Sequence, residues 1–484
     1  MRLSKLVQDI NYTGRADDRD ISYITHDSRK VKQGTLFIAF KGIKSDGHDF
    51  IFDAIDKGAV AIIANGRAPS TNKVPILQVD NPRKIMSKIA TNFFKTDFNY
   101  LKMIGITGTN GKTTTTQIIN HILKYNKFSS GSLGTLGFDT PSGIQSTNFT
   151  TPESIDLHHI LDIMKKGGVE YIPMEVSSHA IEMNRVDNID FKIAIYTNLG
   201  FDHLDFHGNE ENYFQSKLKL FTNLKPESLS IINADDKYAN RIISKIKSNF
   251  YTYGIDNKKA DLYIQEYKLG LSSTKAKICF KNKSYNIETS LVGKFNLHNI
   301  SASILCCISL GIKMDLIIKA IKEFSNVPGR FEKFKLPKNN FAIIDYAHSP
   351  DAFENVFKNI SIINKENKKI ITIFGCGGER DKYKRPQMAK IAEEFSELTI
   401  ITNDNPRNED ENSIINDITI GFSKNKYKII KDRKTAIKSA LKVAQDNLIL
   451  ILGKGIEEYQ NIRGKKIPHS DIKIVKEYIN ANRN

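Results

Sequence analysis

The chain has little that would tie it to an oxidising compartment or to a membrane. Only four of its 484 residues are cysteine. Cys279, Cys306, Cys307 and Cys376 form neither a Cys-x-x-Cys pair nor a His/Cys ligand pattern. A disulfide framework and a zinc site are therefore not expected, and a reducing, cytoplasmic setting fits. No run of 18 apolar residues occurs, so no membrane insertion is expected. The N-terminus, Met1-Arg-Leu-Ser-Lys-Leu-Val-Gln-Asp, is charged and amphipathic and lacks the apolar core of a signal peptide. Fixed-period repeats and low-complexity tracts are missing too. The formal net charge is +17, yet the basic residues are spread along the chain without an RNP, zinc-finger or basic-helix motif. Nucleic acid is not expected as a partner, although a basic surface helps to collect small anions.

What is present is an ordinary mix of 40% hydrophobic and 26% charged residues, too long for one core. The pattern reads as α/β in three domains. Residues 1–97 form a small α/β domain, with strand-like runs at Phe37-Ile-Ala-Phe40 and Val60-Ala-Ile-Ile63 around a helical spacing from Phe50 to Lys57. Residues 98–330 form a central domain with strands expected at Tyr171 to Val176, Ile193 to Thr197 and Leu229 to Asn233. Helical patterns between them predict a doubly wound sheet. Residues 331–484 form a third, Rossmann-like unit, with strands at Phe341 to Tyr346, Ile370 to Phe374, Leu398 to Thr402 and Leu448 to Leu452. The turn Asn326-Val-Pro-Gly-Arg330 is the expected linker.

The most informative stretch runs from Met103 to Thr116. An apolar run enters a glycine turn, Gly108-Thr-Asn-Gly-Lys-Thr-Thr114, and a helical pattern follows at Ile118, Ile119, Ile122 and Leu123. Strand, glycine loop and helix in that order make a phosphate cradle. Backbone N–H groups of Gly108, Thr109, Asn110 and Gly111 point at the anion, and Lys112 adds a point charge. Thr113 stands where a hydroxyl reaches Mg²⁺, and Thr114 follows it. The spacing is not the standard Walker A, because Ile106 stands where that pattern has glycine.

This loop resembles that of the Mur ligases. The resemblance extends through Met174-Glu-Val-Ser-Ser-His-Ala180, Asp202-His-Leu-Asp-Phe-His-Gly208, Gly293 to Asn299, Pro328-Gly-Arg330, Asp345-Tyr-Ala-His-Ser-Pro350 and Gly375-Cys-Gly-Gly378. Asp404-Asn-Pro-Arg407 and Gly453-Lys-Gly-Ile-Glu457 point to the E-type branch. The resemblance implies a ligase of peptidoglycan precursor synthesis. It would use ATP to join meso-diaminopimelate to UDP-N-acetylmuramoyl-L-Ala-D-Glu. An L-lysine-adding enzyme, a folylpolyglutamate-type ligase and a non-catalytic nucleotide-binding protein are the rival readings.

A carboxylate is a poor electrophile, so such a ligase first moves the ATP γ-phosphoryl group onto it. The amine then displaces phosphate from the acyl phosphate. Bringing two anions together needs cations at the reacting oxygens. Lys112 is expected at the phosphates and Thr113 and Glu175 on one Mg²⁺, and the resemblance adds His203 on a second. It makes Lys217 a carbamylated lysine, whose anion also meets Mg²⁺. Asn296, Arg330 and Asp345 would face the nucleoside. Ser28, in the first domain, would face the UDP end of the substrate, and Thr150, Thr151, Ser177 and Arg185 its peptide end. Phe149 departs from relatives that carry asparagine there, which puts a polar contact in doubt. Arg380, Asp404, Asn405, Pro406 and Arg407 would take the distal carboxylate of diaminopimelate, because Arg407 can offer a planar two-pronged donor. Gly453 and Glu457 would take its distal amine. Ile456 stands where many relatives have histidine.

Overall fold

Contacts group the chain into two units, residues 1–261 with 301–313, and residues 262–300 with 314–484. The computed structural model describes residues 1–482 apart from 43, 44, 70, 141, 142, 148, 201 and 425. Phe201, inside one of the quoted motifs, lies outside the described residues.

The first unit opens with helix α1 (Leu3–Leu6) and a parallel sheet in the order β1 (Tyr23–Thr25), β2 (Thr35–Ile38), β3 (Ala59–Ala64), β4 (Ile76–Gln78). Helix α2 (Ile51–Asp56) lies between β2 and β3 in the chain, where the apolar spacing predicts it. Helix α3 (Pro82–Phe94) follows β4. It starts on Asn81, whose side chain accepts from Lys84 N, with Pro82 in the first turn where no N–H is needed. Leu6, Ile24, Leu36, Ile63, Leu77 and Ile89 share one core.

The larger sheet of this unit is built from β5 (Lys102–Thr107), β6 (Leu133–Gly134), β7 (Gly137–Thr140), β8 (Gly143–Gln145), β9 (Tyr171–Glu175), β10 (Phe191–Tyr196), β11 (Leu229–Asn233) and β12 (Asn249–Gly254). Its order is β12-β11-β10-β5-β9-β6-β7-β8, and β12 to β6 run parallel. The near-continuous burial of β5 and β10 is what a parallel sheet with both faces covered requires. Helices α4 (Lys112–Tyr125), α5 (Ser154–Lys166), α6 (Ser178–Glu182), α7 (Leu204–His207) and α8 (Glu210–Thr222) occupy the connections. The carboxyl ends of β5, β9 and β10 therefore lie side by side, the usual ligand edge of such sheets.

The second unit departs from the expected alternation first at its start. Residues 262–289 are three antiparallel strands, β13 (Leu262–Leu269), β14 (Thr274–Phe280) and β15 (Lys283–Thr289). The β14–β15 hairpin turns on Lys281 and Asn282, both at positive φ. That is the twist a two-residue hairpin prefers, here without the Asn-Gly pair that usually signals it. The rest is a sheet in the order β16 (Glu332–Lys335), β17 (Phe341–Asp345), β21 (Asn447–Leu452), β18 (Lys369–Phe374), β19 (Leu398–Ile401), β20 (Tyr427–Ile429). All its pairs are parallel except β16 with β17. A hairpin of β22 (Tyr459–Ile462) and β23 (Lys465–Pro468) follows β21.

Candidate functional sites at the carboxyl edges of the two sheets

In the first unit the loop between β5 and α4 turns at Gly108, with φ +151. A Cβ there would come within 1.8 Å of Thr197 Oγ1, so no larger residue fits. The end of β10 braces this loop. Asn110 N donates to Asn198 Oδ1 at 3.0 Å, and Thr197 Oγ1 and Asn198 Nδ2 both donate to Asn110 O. Lys112 Nζ reaches back to Gly108 O and Thr109 O at 2.8 and 2.9 Å. The ammonium thus sits over the turn that the phosphate reading assigns to an anion. Thr114 is buried in the first turn of α4.

Glu175 ends β9 and is 1% exposed. Thr113 Oγ1 donates to its Oε2 at 2.9 Å. Thr135 donates to the same carboxylate through its N–H at 2.8 Å and its hydroxyl at 3.2 Å. A Cβ on Gly134 would lie 2.2 Å from Glu175 Oε1, so this approach also depends on glycine. Thr150 Oγ1 shares a hydrogen bond with Thr135 Oγ1 at 3.2 Å. Thr151 Oγ1 donates to Glu175 O and accepts from Ser177 N. Ser177 in turn caps α6 through Ala180 N. Thr113 thus meets the carboxylate directly, Thr150 is linked to it through Thr135, and Thr151, bonded by Ser177 N, holds the Glu175 main-chain carbonyl. Thr113 and Glu175 together are a hard oxygen pair beside a phosphate loop, which fits Mg²⁺ completed by waters and phosphate oxygens.

Lys217 is 1% exposed on the inner face of α8. Its Nζ lies 4.3 Å from the centre of the Tyr213 ring, and Tyr213 OH meets Thr109 Oγ1 at 3.1 Å. Burial, with the nearby Lys112 charge adding to it, pushes the Lys217 ammonium well below the usual lysine range. His203 has φ +56 and faces Asp202, with Nε2 3.5 Å from the carboxylate. Its ring stands 4.8 Å from that of His179 and 6.2 Å from that of Tyr213.

Arg185 is buried and paired with Glu153 at 2.7 Å. It donates to Thr151 O at 2.9 Å. Phe149 is 53% exposed, and its ring centre lies 5.0 Å from the Arg185 guanidinium carbon. The position without asparagine therefore supplies a cation–π face instead. Ser28 opens a short 3₁₀ turn and lines a cleft of about 440 Å³ with His26, Phe40, Arg83 and Glu153.

In the second unit the functional-looking residues again follow strand ends. Asp345 ends β17. Gly453 follows β21, Gly375 follows β18, and Asp404 follows β19. Arg407 is held at φ +55 and donates from Nη1 to Gly378 O at 2.6 Å. Pro406 O accepts from Glu409 N, which closes the turn. Arg380 is exposed beside it. Asn405 Nδ2 donates to Glu457 Oε2 at 2.8 Å. Lys454 is 0% exposed and donates to Glu457 Oε2 at 2.7 Å and Asn405 Oδ1 at 3.2 Å, and it lies 3.7 Å from Asp404. Arg330 stacks over Tyr346 at 4.9 Å. Asp345 accepts from Phe331 N and Ala347 N, one on each oxygen, and burial pushes its carboxyl up. Asn296 is buried, with its amide bonded to Val292 O and Asn299 Nδ2. Asp345 and Asn296 thus each hold the local backbone or helix.

Sequence reasoning did not single out Thr135, Glu153, Tyr213 or Lys454. Each is an ordinary residue type in a loop or helix. The available signal was weak: Glu153 follows Thr150-Thr-Pro directly, and Lys454 lies inside a quoted motif.

Comparison with known proteins agrees with this geometry. Residues 20–94 match the Mur ligase family catalytic domain, 106–307 the Mur ligase middle domain, and 329–455 the Mur ligase glutamate ligase domain. A protein of Aquifex aeolicus named UDP-N-acetylmuramoyl-L-alanyl-D-glutamate--2,6-diaminopimelate ligase is 43% identical over 458 residues, covering 94% of this chain and 93% of its own. A protein of the same name from Clostridioides difficile is 42% identical over 485 residues, covering 98% of each. A solved structure under that name superposes with TM-score 0.71 at 29% identity, covering 100% of this chain and 99% of its own. A phosphate loop braced by β10, a buried carboxylate on its threonine and full-length relatives of this kind together place the chain in the Mur ligase family.

Proposed function

We propose that the chain is an ATP-dependent ligase of peptidoglycan precursor synthesis that adds meso-diaminopimelate to UDP-N-acetylmuramoyl-L-Ala-D-Glu. The observation that carries the reading is the Thr113–Glu175 pair at the mouth of the phosphate loop, in a chain whose relatives of that name match almost end to end. Three domains, divided near residues 97 and 330, are part of the reading. The three separate stretches that match the family support them.

The loop amides and Lys112 would hold the β- and γ-phosphates, with Lys112 turning from Gly108 O to the incoming anion. Thr113, Glu175, His203 and a carbamate on Lys217 would hold Mg²⁺, which when bound screens the repulsion between the γ-phosphoryl group and the D-Glu γ-carboxylate. Thr150, Thr151, Ser177 and Arg185 would orient that carboxylate for phosphoryl transfer. The amine of the incoming amino acid then attacks the acyl phosphate, and phosphate leaves. Burial supports the carbamate, because Lys217 is enclosed where a charged ammonium is costly. A neutral amine is the form that adds carbon dioxide, and the product is an anion suited to a cation.

Arg407 and Arg380 would face the distal carboxylate of diaminopimelate, and Glu457 and Gly453 its amine. Asp404, Asn405 and Pro406 shape the turn that presents Arg407. Ser28 would meet the UDP end, and Asn296, Arg330 and Asp345 the nucleoside of ATP.

The test is ADP release with UDP-N-acetylmuramoyl-L-Ala-D-Glu and a panel of amino acids. Release should need both acceptor and amine and should be strongest with meso-diaminopimelate. Equal turnover with L-lysine would overturn the amino-acid assignment. Turnover with folate and glutamate, and none with the muramoyl dipeptide, would overturn the ligase assignment itself.

A further inference from the structure

We propose that Glu153 is a positioning residue that acts through Arg185 and Arg83 to keep the two ends of the acceptor substrate in one frame. The proposal rests on the reading above, in which Arg185 meets the peptide end. Glu153 occupies the N-cap position of α5, yet its side chain makes no capping hydrogen bond. A buried carboxylate at a helix start that leaves the amides alone has its purpose elsewhere. Its Oε1 lies 2.7 Å from Arg185 Nη2, while Arg83 Nη1 approaches its two oxygens at 3.4 and 3.5 Å.

The two arginines come from different elements. Arg83 belongs to α3 and lies 4.5 Å over the Phe40 ring, which stacks with His26 at 5.8 Å. Those residues, with Ser28 and Glu153 itself, line the 440 Å³ cleft. Arg185 follows α6 in the chain and is fixed by Thr151 O, by Glu153 and by the face of Phe149. Its Nε is buried and has no acceptor. A buried donor left unpaired is unfavourable and points to an acceptor that arrives with a ligand. Glu153 takes Nη2 and Thr151 O takes Nη1, so Nε is the guanidinium nitrogen left for that acceptor. The single negative charge of Glu153 also offsets part of the repulsion between the two guanidiniums.

The experiment measures KM for each of the three substrates in Glu153→Gln, Arg185→Ala and the double variant, with thermal melts as a control of folding. Glu153→Gln keeps the shape and removes the charge. KM for the UDP-muramoyl dipeptide should rise at least tenfold, while KM for ATP and for the amino acid stays within twofold. In the Arg185→Ala background, Glu153→Gln should add less than threefold, because the larger part of its effect runs through the shorter contact, to Arg185. An unchanged dipeptide KM, an equal rise of all three KM values, or fully multiplicative effects would overturn the proposal. If Glu153→Gln does not fold, Glu153→Asp keeps the charge but draws it back by one methylene, and a normal dipeptide KM there would overturn it equally. A wild type without dipeptide-dependent ADP release would instead sink the ligase reading, so the two failures are distinguishable.

Discussion

Lys112 and Lys217 are two lysines of the first unit in different surroundings. Lys112 is bonded to two loop carbonyls and supplies charge that amides cannot replace. Lys112→Ala should therefore cut ligation at least about 100-fold, since each charge-assisted hydrogen bond contributes roughly 1.5–3 kcal/mol. Its melting temperature should change little, and near-normal ADP formation would refute the assignment. Lys217 is enclosed against an aromatic ring, and burial disfavours its ammonium. Lys217→Ala should be nearly inactive and partly rescued by short carboxylic acids, which replace the missing anion. Electron density for an unmodified amine at Lys217 in a substrate-bound crystal would count against the carbamate.

Elements explain why these residues meet. Helix α4 must start at Lys112 because Gly111 takes φ +87 as its N-cap, which aims the first-turn amides at the loop. Helix α8 carries Tyr213 and Lys217 four residues apart, on one face. Helices α3 and α5 pack around His158, which is fully buried. Thr96 Oγ1 lies 2.8 Å from its Nδ1, and Ser87 and Thr91 lie 3.4 and 3.3 Å from its Nε2. Burial holds this imidazole down at about 3, against 6.5 when unfolded. Below pH 6.5 the unfolded chain binds a proton that the folded one refuses, so stability is full above that pH and is lost as pH falls toward 3. Between pH 6.5 and 5 the loss should reach about 2 kcal/mol from this group. Denaturant titrations should show that slope in the wild type and its disappearance in His158→Gln; an equal slope in both would exclude His158 as the cause.

For the whole molecule, the residues proposed for phosphoryl transfer lie in the first unit and those proposed for the amino acid in the second. Selection of the amine should therefore be alterable without touching the phosphate loop. Losing the Arg407 contact to a distal carboxylate costs roughly 2–4 kcal/mol, or about 30- to 1,000-fold. Arg407→Ala should lose most of the preference for meso-diaminopimelate over L-lysine, read as the ratio of kcat/KM values. An undiminished ratio would remove Arg407 from recognition.

Neighbouring residues alone determine the strand, glycine turn, lysine and helix at 103–125, because a phosphate cradle is a local object: its dihedrals, amides and charge all come from one short stretch. The apolar runs likewise place the strands they predict to within a residue or two, and Leu229–Asn233 coincides with its expected span. Apolar runs miss the meander at 262–289, whose strands signal themselves only by alternation, as in Thr274-Lys-Ala-Lys-Ile278, and whose hairpin turn lacks glycine. Tertiary structure alone decides which charges are enclosed and by whom. Thr113 finds Glu175 across 62 residues, and Glu153 finds Arg83 across 70. Lys454 has no role assigned from the sequence, yet it is buried among Asp404, Asn405 and Glu457. The state of an ionisable group depends on the water removed from it and on the partners brought to it. Both are set by segments distant in the chain, so they exist only once the sheets have closed.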